Sequence, residues 1–429
     1  MTIKDQGKPI QKNVKGCDCH SMGVDNDMQK VIDLKNTAET EPVRQIAEFP
    51  FLTDKKGKEF IRERSSVPVE KLTKKRFHKV AGKWNWYFLN REESFIPPAE
   101  PSDLLDGAEI IKESSETLVF CRDGLFLKWE KGVSSGFAAE LKNRYFSRAS
   151  RELKTLQRLQ SVGFDVTPPV GYGVSGCDCI LITRQVPGTV SVMEYICSRY
   201  EKGERLTEEF LAGWGAYWGK FLKSGFYFPD FHCGNILYVE SEKSFILVDL
   251  YGVRKQRKVC ADQKGRMIFR QLKDVMEFLS EADLKHVLYH AGIVESEDQY
   301  FAFLEFYASE AEKLLQRRVR DFDEHGLRYR PGRKVWNFPE TECRELPDEV
   351  IAEVWLKDFA WQHHGIPHLH LLERNGNKIK MEKYAGIAPE EAEASLRKRV
   401  KIAGYDPETL VYCLNDRGQA AVCDRKVLV

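Results

Sequence analysis

The amino-acid sequence predicts an α+β protein of two lobes, in which a small antiparallel β lobe precedes a mainly α large lobe. Three observations support this prediction. Short apolar strands alternate with turns between residues 109 and 129, a hairpin of two apolar strands lies near residue 240, and helical periodicity dominates much of the chain after residue 189. The expected divisions are a weakly ordered segment at 1–45, an N-terminal extension at 46–105, the small lobe at 106–188, the large lobe at 189–337 and a C-terminal extension at 338–429.

The composition limits the classes of function. The chain has 429 residues, of which 42% are hydrophobic, so it can bury a substantial core. Lys plus Arg, 66, almost equals Asp plus Glu, 65, and we therefore expect no nucleic-acid partner. The first residues lack the apolar centre of an export signal, and no run approaches the roughly 18 apolar residues of a membrane span. These features predict a cytoplasmic protein.

The cysteines predict reduced thiols. There are 11, an odd number scattered along a chain without an export signal, which does not suggest a disulfide framework. Two Cys-x-Cys pairs, Cys17 with Cys19 and Cys177 with Cys179, lack the two-residue spacing that is usual in zinc sites. The sequence does not favour metal binding by either pair.

The small lobe is predicted from strands around one helix. Before it, Gly82–Leu89 has the pattern of an aromatic strand, and prolines at 97, 98 and 101 mark a boundary. A single helix is expected over Ala139–Gly163, since apolar residues recur there at three- to four-residue steps. The predicted strands of the lobe are Glu109–Ile111, Thr117–Cys121, Leu125–Trp129, Val170–Val174 and Cys179–Thr183.

The large lobe is predicted to be mainly helical. The stripe of Phe210, Leu211, Trp214, Trp218 and Leu222 is more typical of a core than of a ligand site. The expected helices are Val190–Arg199, Thr207–Leu222, Lys264–Ser280, Ser280–Tyr289 and Asp298–Gln316.

Two acidic residues and one Asn in the central hairpin are candidate catalytic residues. Asp230 and Asp249 each end an apolar run, and Asn235 lies between them. The strands Ile236–Val239 and Phe245–Val248 would pair and bring the three side chains together. Phosphoryl transfer needs such a cluster, because one carboxylate orients the attacking hydroxyl while a carboxamide and a second carboxylate hold magnesium. The alternative is an ordinary hairpin with Asp and Asn in turn hydrogen bonds.

Several short motifs, taken together, resemble the lipopolysaccharide core kinase family, whose members phosphorylate heptose or Kdo sugars. The likeness covers roughly residues 108 to 290 and is more specific for a protein-kinase-like fold than for the acceptor. The motifs are Leu127-Lys128, Ser150-Arg-Glu152-Leu, Val166-Thr-Pro-Pro169, Leu181-Ile-Thr183, Asp230-Phe-His-Cys-Gly-Asn-Ile-Leu237 and Val248-Asp-Leu250.

The resemblance implies a set of roles and cosubstrates. ATP and Mg²⁺ would be the cosubstrates, and the acceptor would be a sugar hydroxyl on an anionic, membrane-embedded glycolipid at the cytoplasmic face of the inner membrane, with peripheral membrane contact. By position, Asp230 would be the base, Asn235 and Asp249 the metal ligands, and Lys128 with Glu152 the phosphate clamp. A Glu152 in an ordinary solvated helix is the competing interpretation of the last pair.

Less specific candidates surround this set. The backbone near Gln185 and Val186, before Pro187, would hydrogen-bond an adenine edge if this segment connects the lobes, although a plain loop fits equally well. His232 is a candidate for phosphate or acceptor binding or, alternatively, a structural donor within its loop. A basic run would meet an anionic acceptor, and a solvated loop explains it nearly as well. Its cationic residues are Arg254, Lys255, Arg257 and Lys258.

The sequence departs from the family in two places. The turn Lys112–Thr117, where a glycine-rich cover over the phosphates is common, contains no glycine, which removes the close backbone approach that glycine permits. Phe228 and Pro229 precede Asp230 where a His is frequent, and we expect Phe228 to fill the same apolar position. These departures motivate an alternative of another class, a catalytically silent kinase-like binding module. A third alternative is a kinase that acts on a protein or on an aminoglycoside-like sugar.

The role of the C-terminal extension is not predicted. Four histidines, His363, His364, His368 and His370, lie around Gly365 and Pro367, which exclude a continuous helix. Three imidazoles could converge on a metal, but no nearby Cys or carboxylate is well placed as a fourth ligand, so the sequence does not favour zinc. A helix is predicted from Pro389 to Gly404, followed by a small hairpin of Val411–Leu414 and Ala420–Cys423.

Overall fold

The computed structural model describes residues 77–90, 95–132, 137–325, 340–375 and 377–428. The predicted weakly ordered segment at 1–45 and the Cys17 and Cys19 pair lie outside these residues. Within them, no helix combines the length and the apolar character that are needed to cross a membrane.

The described residues of the small lobe form a seven-stranded antiparallel sheet in the order β1-β2-β6-β7-β5-β4-β3. The predicted N-terminal extension contributes β1 and β2, because β2 pairs with β6 from Asn85–Val174 to Phe88–Gly171. The strands are β1 (Phe77–Ala81), β2 (Trp84–Phe88), β3 (Glu109–Glu113), β4 (Thr117–Arg122), β5 (Leu125–Glu130), β6 (Pro169–Ser175) and β7 (Asp178–Arg184).

The predicted single helix over Ala139–Gly163 is wrong, because the structure has two helices there. They are α1 (Phe137–Phe146) and α2 (Arg148–Ser161). Ser147 separates them, and its hydroxyl accepts a hydrogen bond from the backbone N–H of Ser150, 3.0 Å away. Such a side-chain cap competes with the continuing helix and starts a new one. The cap fixes α2 against the sheet, where Leu153, Leu156 and Leu159 are buried.

The large lobe is mainly helical, as predicted. In α4, the apolar stripe of Phe210, Trp214 and Trp218 is buried in the core. The predicted helix over Lys264–Ser280 is shorter and begins earlier, and a 3-10 turn at Met276–Phe278 follows it. The helices are α3 (Val192–Glu201), α4 (Glu208–Lys223), α5 (Ala261–Leu272), α6 (Glu281–His290) and α7 (Glu297–His325).

Two small sheets carry the central stretch of the large lobe. One has the order β11-β10-β8, and its hairpin pairs Ile236 with Leu247 and Val239 with Ser244. The other pairs β12 with β9. The strands are β8 (Thr189–Ser191), β9 (Phe226–Tyr227), β10 (Ile236–Val239), β11 (Ser244–Leu247) and β12 (Arg254–Lys255).

The C-terminal region adds two three-stranded sheets and two longer helices. The partly buried Lys357 ammonium binds the Asp424 carboxylate at 2.5 Å and so joins the first of these helices to the last strand. The helix predicted from Pro389 and the small hairpin are both present. The elements are β13 (Thr341–Glu345), α8 (Asp348–His364), β14 (Leu371–Asn375), β15 (Lys378–Glu382), β16 (Tyr384–Ile387), α9 (Glu390–Ile402), β17 (Leu410–Asn415), β18 (Ala420–Asp424) and the short α10 (Arg425–Leu428).

The predicted fold class is confirmed: an antiparallel β lobe precedes a mainly α lobe, with further elements at both ends. A continuous core cluster includes Leu153 of α2, Leu181 of β7 and Trp214 of α4. The packing therefore fixes α2 and β7 relative to the helical lobe, and the candidate side chains are carried by these packed elements.

Candidate active site

The loop that carries Asp230 is held in place by apolar residues on either side of it. Phe228 and Phe231 are completely buried, and their rings contact each other with centroids 5.9 Å apart. Phe228 thus occupies an apolar site, as the sequence predicts for this position. Between the two anchors, the Asp230 side chain remains 57% exposed. The loop therefore presents one carboxylate to solvent from a rigid apolar base.

Asn235 connects this loop to the hairpin. Its side-chain Nδ2 donates to the Asp230 carbonyl at 3.0 Å, and its own carbonyl accepts from the N–H of Val248 at 3.0 Å. Because Val248 directly precedes Asp249, the hydrogen bonds link all three predicted residues. With Nδ2 committed, Oδ1 of Asn235 is the side-chain atom that can bind a cation.

Asp249 has a left-handed backbone conformation, with φ of +50°. This region is uncommon for residues other than glycine, and Asp and Asn are the residues that enter it most readily. The Asp249 carboxylate is half-exposed and forms a short ion pair with the ammonium of Lys128 on β5. The turn after β11 therefore brings the second carboxylate to the predicted phosphate-binding lysine.

Lys128 and Glu152 form the predicted ion pair. The Lys128 ammonium lies 3.4 Å from Oε2 of Glu152 and 3.9 Å from Oε1 of Glu130. The other oxygen of Glu152 accepts a hydrogen bond from the N–H of Leu250 at 3.0 Å. Glu152 thus joins the sheet, helix α2 and the Asp249 segment through one buried carboxylate.

Burial dominates the electrostatics of this pair. It raises the pKa of Glu152 to about 7, with the Lys128 ammonium acting in the opposite direction. Burial alone would lower the pKa of Lys128, but Glu152 and Asp249 outweigh it and raise this pKa above its ordinary value. Lys128 therefore remains a cation in the site at neutral pH.

Asp230 is flanked by two donors. The Arg270 guanidinium binds its Oδ1 at 3.0 Å, and Nε2 of His232 lies 3.6 Å from its Oδ2. The hydrogen bond from His232 and the charge of Arg270 hold the pKa of Asp230 below its ordinary value, against a smaller opposing effect of burial. Nδ1 of His232 accepts from the N–H of Gly234 at 3.1 Å, so the ring directs its Nε2 proton toward Asp230. His232 contacts Asp230 and also has a structural bond within the loop.

Helix α5 contributes two residues that sequence reasoning missed. Arg270 binds the Asp230 carboxylate, and the next residue, Gln271, is fully buried and donates to the Phe231 carbonyl at 3.0 Å. Gln271 also accepts from the indole N–H of Trp214 at 3.3 Å. Both residues lie about forty positions from the loop, and no local pattern signals such a contact. Their positions make α5 the support of the loop that carries Asp230.

The backbone groups near Gln185 and Val186 and the turn after β3 are the remaining candidates for nucleotide contacts. The Gln185 N–H donates to the Gly124 carbonyl at 2.8 Å, and the Val186 carbonyl accepts from the Thr189 hydroxyl at 2.9 Å. In the turn after β3, the N–H of Thr117 donates to the Ser114 hydroxyl at 2.9 Å, and this hydroxyl donates back to the Thr117 carbonyl. The turn without glycine therefore bonds to itself through the Ser114 hydroxyl and the Thr117 backbone.

The basic run is divided between structural and exposed side chains. The Lys255 ammonium donates to the Ser224 carbonyl at 2.8 Å and lies over the Phe226 ring, and burial lowers its pKa. This residue holds β12 against β9. The side chains of Arg254, Arg257 and Lys258 are exposed.

The second Cys-x-Cys pair has the surroundings of structural thiols. Burial raises the pKa of Cys179 to about 11, which disfavours the thiolate that a metal would need. Asp178 between the two cysteines accepts from the N–H of Gly132 at 2.8 Å. The pair lies on the turn between β6 and β7 and on β7 itself.

Comparison with known proteins gives one family match. Residues 129–307 match the model of the lipopolysaccharide kinase (Kdo/WaaP) family. The matched segment begins one residue after Lys128 and contains Glu152, Asp230, Asn235 and Asp249. No curated protein matches the chain significantly.

Two solved structures are similar to this chain at low identity. One is WaaP in complex with acyl carrier protein, at 14% identity and a TM-score of 0.32, with 52% of this chain and 88% of that chain covered. The other is a crystallised kinase domain, at 12% identity and a TM-score of 0.31, with 48% of this chain and 91% of that chain covered.

The family that matches is one of kinases, which are phosphotransferases with an alcohol group as acceptor. The predicted enzyme class is therefore confirmed. The resemblance found in the sequence is also confirmed, because residues 129–307 match the model of the lipopolysaccharide kinase (Kdo/WaaP) family.

Proposed function

We propose that this chain is an ATP- and Mg²⁺-dependent kinase that phosphorylates a sugar hydroxyl of a lipopolysaccharide core or a related glycolipid, with Asp230 as the base. The observation that carries the proposal is the chain of contacts from Lys128 to Glu152 and from Glu152 to the N–H of Leu250. These contacts hold the Lys128 ammonium beside the Asp249 carboxylate. A purely structural ion pair would not need Asp230 and Asn235 on the same loop.

The donor set fits the proposed cosubstrates. Asn235 offers a carboxamide oxygen and Asp249 a half-exposed carboxylate, which are the hard oxygen ligands that Mg²⁺ prefers. ATP would supply the phosphoryl group, and Mg²⁺ would neutralise charge on its phosphates. Lys128 would bind a phosphate oxygen in exchange for its contact with Asp249, while Glu152 keeps the ammonium in position. Because the Gln185 N–H and the Val186 carbonyl bond within the chain, the Gln185 carbonyl and the Val186 N–H are the backbone groups that would bind the adenine edge.

The acceptor side combines a carboxylate with surrounding cations. Asp230 is held ionised by His232 and Arg270, so it can accept a hydrogen bond from the attacking hydroxyl and then its proton. Three exposed cationic residues follow Asp249 by five to nine positions in the chain: Arg254, Arg257 and Lys258. Their charges suit an anionic glycolipid. Because ATP is a cytoplasmic cosubstrate, we place the reaction at the cytoplasmic face of the inner membrane, with the chain in peripheral contact.

The proposal is tested by phosphate transfer with purified protein. Full-length chain, Mg²⁺ and ATP labelled in the γ-phosphate are incubated with unphosphorylated lipopolysaccharide core, and the product is analysed by mass spectrometry. We expect transfer of a single phosphate by the wild type and by Asp262→Asn, an exposed control on α5, and none by Asp230→Asn. Transfer by Asp230→Asn at the wild-type rate would exclude the proposed base.

A second candidate is a kinase-like binding module without turnover. The turn Ser114–Thr117 favours it, because its hydroxyl and amide bond to each other where a glycine-rich cover would contact phosphate. The two candidates differ in one experiment. A module binds nucleotide in a calorimetric titration but transfers no phosphate to glycolipid, protein or free sugar. The proposed kinase binds nucleotide and also transfers its phosphate.

A further inference from the structure

A second cluster of titratable side chains lies outside the candidate active site. Glu277 belongs to the 3-10 turn of the large lobe, while His368 and His370 lie just before β14 in the C-terminal region. One ligand atom from each of the three lies within 4.8 Å of the other two. All three side chains are buried, and the two imidazole ring centroids are 4.4 Å apart. This cluster joins two parts of the chain that the sequence did not connect.

The contacts of His368 define the surroundings of both its ring nitrogens. Nδ1 lies 2.7 Å from the Ile366 carbonyl and 3.6 Å from Oε2 of Glu277, and Nε2 lies 3.2 Å from Oδ1 of Asp358. Carbonyl and carboxylate oxygens only accept hydrogen bonds. A neutral imidazole carries one proton, so it cannot donate on both sides. A cation, either a second proton or a metal ion, satisfies this arrangement.

The charge of the cluster favours a divalent cation. Glu277 and Asp358 are both buried, and His368 lies between them. A divalent ion that binds Glu277 and His368 lies beside both carboxylates, and the two imidazoles add the nitrogen ligands that transition metals take.

We propose that Glu277, His368 and His370 bind a structural zinc ion. Zinc takes nitrogen and oxygen ligands at about 2.0–2.1 Å in tetrahedral geometry, which separates neighbouring ligand atoms by roughly 3.4 Å. The 3.6 Å between Glu277 Oε2 and His368 Nδ1 is close to this value, and the other separations, all within 4.8 Å, must shrink by up to about 1.4 Å.

The neighbouring groups complete the arrangement. Zinc takes the place of the proton on Nδ1 of His368, which is released to solvent, and the Ile366 carbonyl, now 2.7 Å from this atom, must move away by about 0.7 Å to serve as the fourth ligand. Asp358 then accepts the Nε2 proton of the same ring, as second carboxylates commonly do for zinc-bound histidines. Asp358 is itself fixed by the N–H of Leu371 at 2.9 Å.

The site would anchor the C-terminal region to the large lobe. Arg399 of α9 already binds the Met276 and Leu279 carbonyls, on either side of Glu277, at 3.2 Å. Zinc between Glu277 and the two histidines would add a second connection at the same place. The inference concerns structure rather than turnover, so it does not depend on the kinase function.

Metal analysis of untagged, full-length protein tests the proposal. The protein is expressed with added zinc, dialysed against metal-free buffer and measured by plasma mass spectrometry. We expect roughly one zinc per chain for the wild type, for Asp249→Asn in the active site and for the control His363→Gln, whose Nδ1 bonds to Phe359 within α8. We expect a loss of at least about tenfold in His370→Gln and Glu277→Gln. A zinc chelator should lower the unfolding temperature of the wild type but not that of His370→Gln.

Two results would overturn the proposal. Less than about a tenth of a zinc per chain in correctly folded wild type would show that a proton, and not a metal, lies between the carboxylates. Zinc that remains in both His370→Gln and Glu277→Gln would show that the ion binds elsewhere. Circular dichroism separates loss of metal from loss of fold, and the two variants act on different segments, so failure of one to fold leaves the other as the test.

Discussion

Replacing Glu152 with Gln separates the contribution of the buried carboxylate to catalysis from its effect on stability. The side chain is almost completely buried, with one oxygen facing Lys128 at 3.4 Å and the other accepting from Leu250 at 3.0 Å. Gln retains the shape and an oxygen for the Leu250 bond. The change removes the negative charge and little else.

The stability effect follows from the pKa of Glu152. Burial raises it from 4.5 to about 7, so the folded state holds this proton more tightly than the unfolded state. This contribution to stability is complete below pH 4.5 and is lost as the pH rises through about 7. At about 1.4 kcal/mol per pH unit, the loss is about 3 kcal/mol. Gln has no such proton to lose, so Glu152→Gln should raise the free energy of unfolding by up to about 3 kcal/mol at pH 8 and hardly change it at pH 4.5.

The effect on activity has the opposite sign. Without the charge of Glu152, the ammonium of Lys128 keeps Asp249 as its main partner and is less available to a phosphate. A hydrogen bond between charged groups is worth about 1.5–3 kcal/mol, which corresponds to a roughly 10- to 100-fold decrease in kcat/KM. The variant should therefore be more stable and less active at neutral and alkaline pH.

Urea unfolding at the two pH values and phosphate transfer at pH 8 measure both effects. The control is Glu140→Gln, an exposed glutamate on α1, for which neither quantity should change. A Glu152→Gln variant that is less stable than the wild type at pH 8 would refute the burial argument, because the ion pair would then contribute net stability. Unchanged kcat/KM would refute the role of Glu152 in positioning Lys128.

Four further predictions concern the candidate active site and the residues that support it. Asp249→Asn should abolish turnover while unfolding free energy changes by less than about 1 kcal/mol in urea, because the side chain is half-exposed and Asn tolerates the left-handed backbone. Asp230→Asn should lower kcat by about 10²- to 10⁴-fold. In the wild type, kcat/KM should show no acid limb from Asp230 above about pH 6, since its pKa is held below the ordinary 3.8; such a limb would contradict the roles of His232 and Arg270 at this carboxylate. Gln271→Leu should cost about 2–4 kcal/mol in urea unfolding, because the Phe231 carbonyl and the Trp214 indole N–H each lose a buried partner.

The parts of the site that could be predicted from the sequence depend on local periodicity. Asp230, Asn235 and Asp249 flank two apolar strands whose pairing follows from their alternation and the short turn between them, and the observed register confirms it. Lys128 and Glu152 could be paired because a strand and an amphipathic helix each fix which way a side chain faces.

The parts that could not be predicted depend on contacts between distant segments. Arg270 lies forty positions from Asp230, and Glu277 lies about ninety from His368, with no repeating pattern between them. The break between α1 and α2 was missed because Ser147 stops a helix through a hydrogen bond and not through the conformational limits of Gly or Pro. Propensity and periodicity carry little information about such tertiary contacts.

The most direct test of the account is phosphate transfer from ATP to lipopolysaccharide core by the purified chain, compared with Asp230→Asn under the same conditions. We predict Mg²⁺-dependent transfer of a single phosphate by the wild type and its near-complete loss in the variant, which should bind nucleotide normally. The account would be contradicted if a folded, nucleotide-binding wild type transferred no phosphate, or if the variant transferred it at the same rate.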